Sequence, residues 1–95
     1  MPEPKWHMIK PDALEWHDAD DGSLVLHRST GETHYFNLYA TFILRSVKET
    51  PQTEADLLRH IAEQLGEEVD EAFIKKIRGQ LWNFEEMAMV EARET

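Results

Sequence analysis

The 95 residues suffice for one compact core and leave no room for a second domain. Nineteen Asp and Glu against ten Lys and Arg give a net charge of -9, which repels a phosphate backbone over most of the surface and sets nucleic acid aside as a partner. A hydrophobic content of 41%, no cysteine, no secretory signal in Met1 to Lys5 and no apolar run near the roughly 18 residues of a membrane span predict a cytoplasmic domain without membrane contact.

In chain order, Pro2, Pro4 and Pro11 punctuate a polar segment, residues 1–11, that reads as a loosely held arm in which Lys5 to Lys10 forms at most a short strand. Leu14-Glu15-Trp16-His17 then alternates apolar and polar side chains as a half-buried strand does, and Asp18 to Gly22 has the residues of a direction-reversing turn. Ser23 to His27 continues with Leu24 and Leu26 on one face and Val25 on the other. Arg28 to Glu32 turns the chain into Thr33 to Phe36, with Gly31 free to take a positive φ. These pieces form a three-stranded antiparallel meander.

From Asn37, a good helix N-cap, the apolar period lengthens from two to about 3.6 residues. Leu38, Tyr39, Phe42, Ile43 and Val47 make one stripe of a first helix, which Pro51 prevents from running on. Thr53 caps a second helix with Asp56 in its first turn; Leu57, Leu58, Ile61 and Leu65 form its apolar face and Gly66 ends it. Asp70 caps a third helix with Phe73, Ile74, Ile77, Leu81 and Phe84 as its stripe, and Met87 to Val90 closes the chain as a short extended or irregular tail. The expected fold is α+β: a three-stranded antiparallel sheet followed by a three-helix bundle, with Leu57, Ile61, Leu65, Ile74, Ile77 and Leu81 buried together.

Leu14-x-Trp16, an acidic turn, Leu24 to His27, Thr30-Gly31-Glu32-Thr33-His34-Tyr35-Phe36-Asn37, an apolar helix, a two-helix hairpin and Glu85-Glu86-Met87-Ala88-Met89-Val90-Glu91 follow one another in an order that resembles the PqqD-like family of peptide chaperones, or RiPP recognition elements. Within that family the chain is similar to PqqD-type members associated with an HPr-kinase-related gene system. The resemblance runs from about Trp6 to Glu91, with Ala88 where the family has a glycine. It implies a winged-helix-like domain over residues 12–92 that is not an enzyme. Such a domain holds the leader of a ribosomally made precursor peptide and presents it to a modifying enzyme. The resemblance also implies that the leader adds as a strand along Thr33, His34, Tyr35 and Phe36, in a groove shared with the third helix.

The physical reading of those positions is separate from the family. The last strand of a meander is an edge, and its unpaired amides and carbonyls can take up an extended peptide. On the third helix, Ile77 and Leu81 define the buried direction; Trp82 points away from it, with Arg78 and Glu85 on the flank between. Lys75, Arg78, Trp82 and Glu85 are therefore the expected helix side of the site, with Arg78 and Trp82 four apart and able to stack. Packing of Trp82 on the N-terminal arm or first strand reads equally well, and which of Tyr35 and Phe36 enters the core depends on the strand register.

His27 and His34 flank the hairpin turn as potential cross-strand neighbours, and His60 and Glu63 stand three apart, but neither pair completes a metal site. The Asp18 to Gly22 turn fails as a calcium loop because Gly22 and Ser29 occupy ligand positions. Without a phosphate-cradling loop, a nucleophile elbow or a cysteine, neither cofactor nor catalysis is expected. The runner-up function is a winged-helix assembly or transcription-regulatory module, against which, for DNA, the charge weighs; a monomer or weak dimer is expected.

Overall fold

The computed structural model describes residues 3–94. Three strands, β2 (Leu14–Ala19), β3 (Gly22–His27) and β4 (Glu32–Asn37), form an antiparallel sheet in the order β2-β3-β4. Helices α1 (Leu38–Glu49), α2 (Glu54–Leu65) and α3 (Glu71–Glu86) follow. Each helix starts on the side-chain cap expected of it: Asn37 accepts from the Ala40 N–H, Thr53 from Asp56 and Asp70 from Phe73. Gly66 ends α2 in the left-handed conformation, φ 65°.

The segment expected as a loose arm holds β1 (Lys5–Met8), the central strand of a second antiparallel sheet. Its neighbours are the two-residue β5 (Gln52–Thr53) and β6 (Val90–Arg93), where a short tail was expected. Their pairing partners lie far apart in sequence, and strands this short carry too few alternating side chains to announce themselves. The Ile9 N–H extends the β1–β6 pairing to the Met89 carbonyl at 2.8 Å.

α1 is the central helix, in contact with β1, β3, β4, α2 and α3. Its buried face is consequently wider than one apolar stripe and includes the small residues Ala40, Thr41 and Ser46 beside Ile43, Leu44 and Val47. Leu38, expected within the stripe, is 41% exposed at the helix start. Leu57, Ile61, Ile77 and Leu81 are buried together, and Leu65 and Ile74 pack against them half-buried. A buried hydrogen bond of 2.8 Å between the Ser23 and Thr41 hydroxyls ties β3 to α1.

α3 ends at Glu86, and the chain turns into β6 through Ala88 at φ 58°, the left-handed region in which a Cβ is strained. Ala88→Gly should therefore stabilise the domain by about 1 kcal/mol, raising the melting temperature by roughly 4–8 °C in a thermal unfolding experiment. An unchanged or lowered midpoint would show that the strain is absent.

Candidate functional site

β4 pairs only with β3, so one edge of it is free among the described residues. Which backbone groups it offers follows from the ladder. The Arg28 N–H donates to the Ala13 carbonyl at 2.8 Å, one step beyond the Leu14–His27 pair. Hydrogen-bonded pairs alternate along an antiparallel ladder, so Leu24 and Leu26 bond toward β2, and Ser23, Val25 and His27 toward β4. The His27 carbonyl accordingly accepts from the Gly31 N–H at 2.7 Å, across the turn where Gly31 takes φ 77°. On β4 His34 and Phe36 are satisfied by β3 and the Glu32 N–H donates to the Thr30 hydroxyl at 3.2 Å, whereas Thr33 and Tyr35 turn their N–H and C=O groups outward.

The side chains alternate with the backbone. Phe36 is the core residue of the pair left open by the sequence, meeting Phe84 of α3 edge to face with centroids 5.1 Å apart. His34 stacks on Phe36 at 5.9 Å with its Nε2 3.2 Å from a Glu32 carboxylate oxygen. Tyr35 is 52% exposed; its hydroxyl donates to the Asp21 carbonyl at 3.3 Å, and the Asp21 carboxylate beside it raises its pKa. His27 stands opposite Glu32, and His34 opposite Val25, so the two histidines are not direct cross-strand partners. Among the described residues no three His, Asp or Glu side chains converge as a metal site.

α3 presents two different flanks. Ala72, Lys76, Gln80, Asn83 and Met87 recur at spacings of three or four residues and so share one flank. With Phe36, residues Gln80, Asn83, Phe84, Glu86 and Met87 line a groove of about 460 Å³ next to β4. Toward the start of α3 the same flank meets Tyr39, Glu67, Glu68, Asp70 and Phe73 around a second hollow of about 390 Å³. The Tyr39 hydroxyl donates to Glu67 at 2.5 Å, which raises the Tyr39 pKa.

Lys75, Arg78 and Trp82 lie on the other flank. Together with Trp6 of β1, Glu54, Gly79 and Leu81 they line an apolar hollow of about 420 Å³. The Arg78 guanidinium donates to the Glu54 carboxylate, which raises the Arg78 pKa and holds the side chain on α2. Trp82 is 71% exposed, and Glu85, three residues on, is exposed as well. Thr33 to Phe36 thus lie together on one edge, and Lys75, Arg78 and Trp82 together across the helix from it. Gln80, Asn83 and Met87 were not singled out in the sequence; their shared flank is visible in the spacing, but which flank faces β4 depends on tertiary packing.

No protein-family model matches the chain, and no curated protein matches it. Two solved structures do. One is described as TbiB1 in complex with the TbiA(beta) leader peptide, with 19% identity, a TM-score of 0.70, and 90% of this chain and 94% of that chain covered. The other is a lasso peptide synthetase B1 complexed with the leader peptide, with 17% identity, a TM-score of 0.68, and 90% and 96% covered. This chain therefore has the fold of two proteins that were each solved with a leader peptide bound.

Proposed function

We propose that this domain is a non-catalytic adaptor that binds the leader of a ribosomally made precursor peptide in the cytoplasm and presents it to a modifying enzyme. The observation that carries the reading is the free β4 edge, with outward backbone groups at Thr33 and Tyr35, on the strand whose Phe36 lines a groove with Gln80, Asn83, Phe84 and Met87. An extended segment added there gains main-chain hydrogen bonds from the edge and seats alternate side chains in the groove. The fold shared with two leader-bound proteins supports it. The net charge of -9 opposes edge-to-edge pairing of two copies, which supports a monomer or weak dimer as the working unit.

On this reading Thr33, His34, Tyr35 and Phe36 form the strand side of the clamp. Lys75, Arg78, Trp82 and Glu85, across α3, are left for the modifying enzyme. The test is amide exchange on the protein with and without a bound leader-like peptide selected from a displayed library. Exchange at Thr33 and Tyr35 should slow on binding, and protection confined to another surface would sink the reading. Trp82→Ala separates the two flanks. It should change the melting temperature little, because an exposed truncation costs less than about 0.5 kcal/mol, and should leave peptide affinity within about twofold. A loss near thirtyfold, about 2 kcal/mol, would place the peptide against Trp82 instead.

A further inference from the structure

Resting on the peptide-binding reading, we infer that the groove between β4 and α3 selects a cationic peptide: a bulky apolar residue for its floor, flanked by Lys or Arg. The floor is apolar where Phe36, Phe84 and Met87 meet. The charges around it are almost all of one sign. Glu86 lines the groove at the end of α3, and Glu32 opens β4. Glu67, Glu68 and Asp70 border the hollow at the other end of the same flank.

Lys76 is the one cation lining these two hollows among the described residues. It is already engaged, with Nζ 4.2 Å from the centre of the Tyr39 ring, whose hydroxyl bonds Glu67. The last turn of α3 carries no basic residue to offset its negative dipole end. Five other cations are held elsewhere, Arg45 by Asp18, Arg59 by Asp56, Arg78 by Glu54, Arg93 by Glu91, and Lys48 over the Trp16 ring, and Arg28 stands in the turn before β4.

Five carboxylates therefore border this flank of α3 or the start of β4, while Lys75 and Arg78 sit on the opposite flank of the helix. With a Debye length of about 8 Å at physiological salt, lysines and arginines on an extended peptide in the groove fall within range of the Glu86 carboxylate that lines it. An acidic peptide is repelled from the same place.

Dodecapeptides selected on the full chain from a random displayed library, then synthesised and titrated, test the inference. The selected peptides should carry net positive charge around a bulky apolar residue and should slow amide exchange at Thr33 and Tyr35. Glu68→Lys combined with Glu86→Lys, both exposed positions, should weaken them at least about tenfold, whereas Glu63→Lys on α2 should weaken them less than about twofold. Neutral or acidic peptides that protect Thr33 and Tyr35 would overturn the inference and leave the adaptor reading intact. So would an equal loss from Glu63→Lys, which would show attraction to net charge alone. Selected peptides that leave Thr33 and Tyr35 unprotected would overturn the adaptor reading, and this inference with it.

Discussion

Gly22→Ala is expected to destabilise the domain more than any other change to a glycine. A Cβ at Gly22 would stand 1.9 Å from the Phe36 carbonyl oxygen and 3.1 Å from the Asn37 Cα. Both are backbone atoms at the end of β4, so no side-chain rotation relieves the overlap. The strands must separate where β4 hands over to α1, and the Asn37 cap and the Thr41 hydroxyl bond to the Phe36 carbonyl are disturbed with them. The cost should be about 3 kcal/mol or more, a fall of roughly 15 °C in melting temperature. Gly79→Ala is the internal control: nothing lies within 4 Å of its added Cβ, and helix propensity should stabilise it by about 1 kcal/mol. If the two alanine variants melt together, the close approach at Gly22 is not real.

The second large effect separates the two edges of a single strand. Tyr35→Pro removes an N–H that points outward from β4, a loss that an edge strand tolerates. The variant should stay folded and lose peptide affinity by about tenfold or more, since one main-chain hydrogen bond is missing and its partner on the peptide goes unmet. Tyr35→Ala keeps the N–H and should retain most of the binding. His34→Pro, one residue earlier, removes a hydrogen bond to Val25 within the sheet and should cost at least about 2 kcal/mol of stability. Calorimetric titration and thermal melts on the three variants read this pattern directly. Full affinity in Tyr35→Pro would remove β4 from the binding site.

Much of the architecture was legible because its signals are local. Asn37, Thr53 and Asp70 announce helix starts by side-chain chemistry, Gly66 announces an end, and the change of apolar period at Asn37 marks the passage from sheet to helix. β1, β5 and β6 were not legible as a sheet, because Lys5 meets Thr53 on one side and Arg93 on the other, and nothing local to any of the three strands encodes that meeting. The site divides in the same way. The edge strand Thr33 to Phe36 could be read from the order of elements, and the exposure of Trp82 from the helical wheel. Which flank of α3 adjoins β4 is set by how α1 wedges between the layers, so Gln80, Asn83 and Met87 emerged only from the packing.

The pairing of β1 with β6 also bears on how this domain can be wired to others. Lys5 and Arg93 are direct partners, so the two ends of the described chain leave the molecule side by side. A second protein attached at either end would start from nearly the same point. The domain could also be inserted into a surface loop of a larger enzyme without prying that loop apart. Either arrangement would turn the meeting with a tethered enzyme into an intramolecular event, with an effective concentration set by the length of the linker.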